Sequence, residues 1–591
     1  MSTPSSLTSS SSSRPLYGYS SSSTQRSKRN AIVFICCLLV ACVLAAVLSL
    51  SISSNNKHKQ EQDSQSQSPS TSSSPSPSNV EVPEAKIISA CKATRSPETC
   101  KSSLFVPSIV PSDPTPVDII QSAMLVSSQN MKTVRDELSS VLSSSASNPN
   151  LTNIAKICVE VLGYSQARVF QANESLPRGD VKSTRAWMSA ALSYVYDCSG
   201  GMKHYTNDTS TISETMSGLD NLLNYTSNAL SMVVAYDLYG NETETWRPPR
   251  TERDGFWEPG SPGQQRGRSI GTVPMDSKEN AVVCKDRASG CYKTVQEAVD
   301  AAPSNLSDTM FVIRIKEGVY EEIVRVPFDK KNVVFLGDGK NKTVITGSLT
   351  VATPGVTTYD SATVGVLGDG FMASSLTIQN TAGPPTYQAV AFRSDSDQSV
   401  IENCEFLGNQ DTLYAHSLRQ YYKSCWIQGN IDFIFGNAAA VFEDCLILVK
   451  PRLENPEQGD QNVIAASGRI DPAQSTGFVF LNCSVNGTQE YMALYNSKPS
   501  AHVSYLGRPW KEYARTVYIN CFMAKIITPQ GWMPWSGYFA LNTLFFGESG
   551  NAGPGSNTSQ RVTWSTQFPS QNVQAYSVQN FIQGGNWNPT S

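Results

Sequence analysis

Eight residues, Cys404-Glu-Phe-Leu-Gly-Asn-Gln-Asp411, recur 21 positions later as Cys425-Trp-Ile-Gln-Gly-Asn-Ile-Asp432, with Cys, Gly, Asn and Asp in the same places. A period near 20 residues, each unit supplying short strands, is how a parallel solenoid winds, every coil burying its apolar face on its neighbours. Equivalent positions on adjacent coils lie one strand spacing apart, about 4.8 Å. The repeat therefore predicts that Asp411 and Asp432 stand nearly one above the other. Two carboxylates that close do not both ionise freely, so one keeps its proton near neutral pH while the other is anionic. Spacing alone fits equally a structural Asn/Asp ladder that satisfies turn amides between coils.

The rest of the C-terminal half agrees with a solenoid. From Val282 the chain runs through short β-rich segments parted by Asn, Gly and Asp, among them Phe311-Val-Ile-Arg-Ile315, Val333-Val-Phe-Leu336, Thr343-Val-Ile-Thr346 and Leu376-Thr-Ile-Gln-Asn380. These are shorter and closer together than a sandwich requires. Thr294 to Ala302 has the pattern of a short amphipathic helix suited to cap the open N-terminal end. We assign 277–591 to this all-β unit.

The other half is organised differently. Residues 1–30 are Ser-rich and basic without an acidic residue, and Ala31 to Ile52 then gives 22 residues without a charge. That length spans a hydrocarbon core of about 30 Å as a helix, and basic residues before it predict a cytosolic tail at 1–30 and a translocated remainder. A cleaved signal peptide competes with a signal anchor for 31–52, but its apolar core is normally about 7–15 residues. Ten Asn-x-Ser/Thr sequons follow the span, at Asn150, Asn173, Asn207, Asn224, Asn241, Asn305, Asn341, Asn482, Asn486 and Asn557. They fit a secretory glycoprotein bound for the extracellular space. Of 14 cysteines eleven lie beyond the span, an odd number that leaves at least one thiol free or paired between molecules. Net charge is only −4, and no segment combines dense Lys/Arg with stacking aromatics, which argues against nucleic acid.

Residues 53–84 are Ser, Gln and Pro with little apolar content, a flexible linker by composition. Between 85 and 240 apolar residues recur at three- and four-residue spacing, as in Ile119, Ile120, Ala123, Met124, Val126, Val134, Leu138 and Val141. Four or more such helices predict an all-α four-helix bundle. Cys91 with Cys100 and Cys158 with Cys198 are spaced to staple it, and no His or CxxC spacing supports a metal site instead. Residues 241–276, rich in Pro, Gly and Arg, read as an exposed linker.

This helical segment resembles the plant invertase and pectin methylesterase inhibitor family, most specifically in Ala186-Trp-Met-Ser-Ala-Ala-Leu192 running to Cys198. The resemblance implies a four-helix bundle with two disulfides and an intramolecular inhibitory role for 85–240. Ser199-Gly-Gly-Met202 departs from the acidic Asp-Gly-Phe ending common there. Linkers in related two-domain proteins carry an Arg-Arg-Leu-Leu type cleavage site, absent here, although Arg250, Arg253 and Arg268 leave a subtilase-type cut open.

Around the repeat stand Gln388, Gln410 and an isolated Leu506-Gly-Arg-Pro-Trp510. Ester hydrolysis needs a nucleophile, donors at the developing oxyanion and an acid for the leaving alkoxide. Asp432, Gln388, Gln410, Asp411 and Arg508 meet that list. A Ser-His-Asp triad lacks its Gly-x-Ser-x-Gly elbow, and zinc hydrolysis lacks a His pair. His416 reads as packing in its loop rather than catalysing.

From about Val282 onward the chain resembles the plant pectin methylesterases, through Gly318-Val-Tyr-Glu-Glu322, Gln388-Ala-Val-Ala-Phe-Arg393, Gly408-Asn-Gln-Asp-Thr-Leu-Tyr414, Asp432-Phe-Ile-Phe-Gly436 and Leu506-Gly-Arg-Pro-Trp510. The resemblance implies a right-handed parallel β-helix without metal or organic cofactor, acting on methyl-esterified pectin. It implies Asp432 as nucleophile, Asp411 as general acid and base, Gln388 and Gln410 at the oxyanion, and Arg508 orienting Asp432. Trp510 and Phe435 would meet sugar rings. It also implies a Cys425–Cys445 disulfide across adjacent coils. Cys284 and Cys291 look additional, suited to a local bridge. Asn409 stands where the family usually has an aromatic residue, and Asn430 where it usually has Thr. A pectin lyase or polygalacturonase on the same solenoid would need a calcium-binding acidic cluster or another aspartate set. An inert wall-binding solenoid would not need Asp411, Asp432 and Arg508 together.

Overall fold

The computed structural model describes residues 81–205, 210–258, 272–286, 290–305, 309–452 and 460–587. The apolar span 31–52, the tail before it, most of the Ser/Pro linker, the Asn207 sequon and Arg268 lie outside these. Among the described residues no helix is long and apolar enough to cross a membrane.

Six helices come first: α1 (Glu81–Cys91), α2 (Pro97–Leu104), α3 (Pro116–Ser144), α4 (Pro149–Ser175), α5 (Val181–Met202) and α6 (Ser210–Tyr239). The last four form the expected bundle. Their starts follow from local chemistry. Thr115 and Asp118 make a reciprocal capping box at α3, Asn148 caps α4 by accepting from Leu151, and Asp180 caps α5 by accepting from Ser183. Each such cap satisfies amides that have no intrahelical partner, worth about 1 kcal/mol. The apolar stripe read from the sequence is buried as read, with Ile119, Ile120, Met124, Val134, Leu138 and Val141 in one core. Cys91–Cys100 closes the α1–α2 hairpin and Cys158–Cys198 joins α4 to α5, while Cys284–Cys291 bridges a short loop near the solenoid's start.

Among the described residues the remainder is a parallel β-helix of three sheets with 11, 7 and 8 strands. Every strand pair is parallel, and consecutive coils place strands in register, as in Phe392 beside Leu413 and Leu413 beside Ile434. Inside, aromatic rings stack coil on coil, Tyr422 on Phe442 at 4.8 Å, Phe442 on Phe480 at 4.9 Å and Phe480 on Tyr518 at 4.4 Å. The expected end cap is present as α7 (Val295–Asp300), which buries Val295, Ala298 and Val299 in the same core and is opened by a Thr294–Glu297 capping box.

Cys425 and Cys445 do not form the implied disulfide. Cys404, Cys425, Cys445, Cys483 and Cys521 are all buried thiols, one on each of five coils. Each Sγ meets the carbonyl two residues back, Lys423 for Cys425 at 3.3 Å and Glu443 for Cys445 at 3.4 Å. Neighbouring thiols meet along the column, Cys425 with Cys445 and Cys445 with Cys483, yet stay unbonded, so the column is a thiol ladder. Each cysteine follows a residue in the left-handed region, Asn403, Ser424, Asp444, Asn482 and Asn520, with φ of 52–55°. A column of left-handed turn residues therefore recurs coil by coil just before the cysteines.

The bundle packs against the solenoid. Arg168 of α4 forks Asp369 at 2.6 and 2.7 Å, Trp187 of α5 donates to Asp397 at 3.0 Å, and Ser227 of α6 donates to Asp471 at 2.6 Å. The first part of the expected exposed linker is also docked. Trp246 is buried, Glu252 bonds Arg515 and Tyr576, and Trp257 lies among Phe545, Phe568 and Tyr576. Pro and Gly content does not exclude packing when tryptophans and a carboxylate find partners.

Candidate active site

One sheet carries the site. Its strands Phe392–Ser394, Leu413–Ala415, Ile431–Gly436, Asp460–Ser467 and His502–Pro509 lie on successive coils. Tyr414, Phe435, Ala466 and Arg508 stand in one register column. Asp411 lies just before its strand at φ 65°, and Asp432 sits at φ 48°, where the register shifts between Ile431 and Ile434. Aspartate tolerates this left-handed backbone better than most residues. A bulge of this kind re-aims a side chain out of the ladder. Both carboxylates are turned that way into a single cleft.

The cleft is about 530 Å³ and is lined by Gln388, Gln410, Asp411, Asp432, Phe435, Arg508 and Trp510, so every catalytic or sugar-binding residue expected from the sequence meets there. Arg508 grips Asp432 through both oxygens, Nε to Oδ1 at 2.8 Å and Nη2 to Oδ2 at 2.6 Å. Such a bidentate fork fixes a carboxylate's plane and its charge. Asp411 and Asp432 are only 7% and 5% exposed. Burial and the charge of Asp432 push the Asp411 carboxyl well above the ordinary range, while Arg508 pulls the other way. Burial lifts Asp432 too, but its fork to Arg508 offsets much of that lift, so Asp432 is the first of the two to ionise. One acid and one anion stand together.

Sequence reasoning missed several residues of the cleft. Tyr414 stacks under Phe435 at 4.1 Å, Phe435 meets Trp510 edge-on at 5.9 Å, and Trp535 lies over the Arg508 guanidinium at 4.4 Å. Trp535 comes from a coil-to-coil loop with no repeat to mark it. His416, read as a packing residue, is buried between two carboxylates, with Nδ1 facing Asp395 and Nε2 at 2.7 Å from Asp197. Burial alone would lower this imidazolium, but Asp395 and Asp197 outweigh it and raise it to about 9. Asp197 belongs to α5. The opposite wall of the cleft is the bundle, through Ile154, Ile157, Val161, Tyr196, Asp197 and Gly201.

A pectinesterase family model matches residues 280–585, and a plant invertase/pectin methylesterase inhibitor model matches 85–232. The Arabidopsis thaliana protein named "Probable pectinesterase/pectinesterase inhibitor 64" is 57% identical over 513 residues, covering 86% of this chain and 85% of its own. A pectinesterase of Daucus carota is 48% identical over 311 residues, which are 52% of this chain and 94% of that one. The solved pectin methylesterase from carrot superposes with a TM-score of 0.50 at 46% identity, over 54% of this chain and 96% of that chain. The chain belongs to the pectinesterase family and carries a plant invertase/pectin methylesterase inhibitor domain ahead of its parallel β-helix.

Proposed function

We propose that the chain hydrolyses the C6 methyl esters of pectic galacturonate through an aspartyl acyl-enzyme. Asp432, ionised and aimed by Arg508, attacks the ester carbonyl, while Gln388 and Gln410 hold the developing oxyanion. Asp411 gives its proton to the methoxide, which leaves as methanol. It then takes a proton from the water that attacks the acyl-enzyme, which frees the carboxylate and restores Asp432. Phe435 and Trp510 offer ring faces to the sugars. The observation that carries this reading is the Arg508-forked Asp432 sharing one cleft with Asp411, whose proton is held far above the usual carboxylate range. Methanol release from highly esterified pectin tests it: Asp432→Asn that folds and retains full turnover refutes the assignment.

The bundle's place over the cleft supports an autoinhibited full chain, with residues 85–240 as inhibitor and 277–591 as enzyme. A chain carrying an engineered protease site between residues 259 and 271 should release more methanol after cutting than before, and equal rates overturn the inhibitory role. The same reading holds 31–52 as signal anchor, the β-helix as right-handed, the sequons as glycosylated and the cell wall as destination. Processing at Arg250 or Arg253 by a subtilase would require lifting a docked strap, since Arg253 donates to the Trp564 carbonyl at 3.2 Å.

A further inference from the structure

The C-terminal turns of α5 enter the cleft with two side chains, and each meets a cation of the solenoid. Asp197 reaches Nε2 of His416 at 2.7 Å, and the ring of Tyr196 covers the Lys511 ammonium at 4.7 Å. Lys511 lies at the same distance from Trp510, the residue before it. His416 packs on Tyr414 at 4.6 Å, and Tyr414 continues through Phe435 to Trp510. An aromatic floor therefore runs from one cation to the other, alongside the aspartates.

This arrangement is unlike the rest of the interface. The polar bundle contacts to Asp369, Asp397 and Asp471 lie outside the cleft, whereas Asp197, His416 and Lys511 line it together with Asp411 and Asp432. In a pectic chain the group that distinguishes one ring from the next is the C6 substituent, a neutral methyl ester or an anionic carboxylate. A neutral ester asks only for amide donors and an apolar floor. A carboxylate asks for cations held in place. His416 is held by Asp395 behind it, and Lys511 by its ring neighbours.

We infer that His416 and Lys511 form a binding subsite for the free carboxylate of a galacturonate ring beside the ester being cleaved, and that Asp197 of the bundle fills this subsite in the uncut chain. The inference rests on the ester-hydrolase reading for the position of the scissile ring. It makes the bundle a competitor of de-esterified pectin: the product's carboxylates and Asp197 contend for the same two cations.

The probe is fully de-esterified oligogalacturonate, with its fully methylated counterpart as the second arm. Calorimetric binding is read on Asp432→Asn chains, which leave the methylated oligomer uncut, and methanol release on the parent, all bearing the engineered site between residues 259 and 271, folded whole, cut, and freed of the bundle. The cut chain should bind the anionic oligomer at least about tenfold more tightly than the methylated one, as one charge-assisted pair allows. Lys511→Met should lose that preference about tenfold, and Lys511→Arg should restore most of it. His416→Gln should act in the same direction. In the uncut chain Asp197→Asn should bind the oligogalacturonate at least about tenfold more tightly than the parent. Binding of the anionic oligomer by Lys511→Met within twofold of the parent, or equal binding by the uncut parent and Asp197→Asn, overturns the subsite. A cut chain that binds oligogalacturonate with this preference but releases no methanol overturns the hydrolase reading and, with it, the assignment of the neighbouring ring.

Discussion

Arg168, with no exposed surface, holds both carboxylate oxygens of Asp369 and so ties helix α4 to the solenoid. A buried cation is tolerable only while its partner is present. Asp369→Ala, which strands Arg168, should destabilise the docked bundle by about 3 kcal/mol, and Arg168→Ala by less, because Asp369 is partly exposed. Urea unfolding measures both. Methanol release by the uncut Asp369→Ala chain should rise as the bundle loosens.

The Arg508 fork pulls the Asp432 carboxyl down against the lift of burial. Arg508→Lys keeps the charge and loses the fork, and should cut kcat by about a hundredfold. Without the guanidinium the Asp432 carboxyl rises further, so the acid limb of the kcat/KM profile must move to higher pH. An unmoved limb would show that Arg508 acts on the substrate and not on Asp432.

In the proposed mechanism Asp411 serves turnover at the expense of stability. Its folded carboxyl is raised above the unfolded value, so folding takes up a proton between the two, and stability falls as pH rises above about 4. Asp411→Asn removes that slope. Thermal unfolding should find the variant more stable by about 1 kcal/mol near neutral pH, with little gain at pH 3, and without turnover.

The His416 imidazolium faces Asp395, itself paired with Arg393, and Tyr359 and Tyr414 on the solenoid, and Asp197 and Tyr194 on the bundle. Its folded value of about 9 exceeds the ordinary 6.5, so its stabilisation is complete below pH 6.5 and is lost as pH climbs through 9. Asp197→Asn should cost about 1 kcal/mol at pH 6, discounted for the partial exposure of Asp197, and almost nothing at pH 10. Melting curves of parent and variant across that range provide the check.

Alkylation of the denatured chain without reductant should modify Cys404, Cys425, Cys445, Cys483 and Cys521 and spare the six cysteines of the three described bridges. The folded protein should resist the reagent at all five, because burial pushes thiols such as Cys425 and Cys445 far above their usual range. A peptide linking Cys425 to Cys445 would contradict the thiol ladder.

Much of this molecule is local chemistry written along the chain. The 21-residue repeat, short strands and turn residues determine a solenoid because each coil needs only its neighbours, and the helix stripes and caps determine a bundle for the same reason. Asp411, Asp432, Gln388, Gln410 and Arg508 were legible because a repeat and separated motifs mark them. Tertiary structure alone decided what depends on distant segments meeting. Trp535 reaches Arg508 from an unmarked loop. Asp197, 219 residues before His416, closes on it only when bundle and solenoid dock. The cysteine column shows the limit most plainly: spacing brings Cys425 and Cys445 to adjacent coils, but their sulfurs stay unbonded, each set against the carbonyl two residues back, which no pattern of residues records.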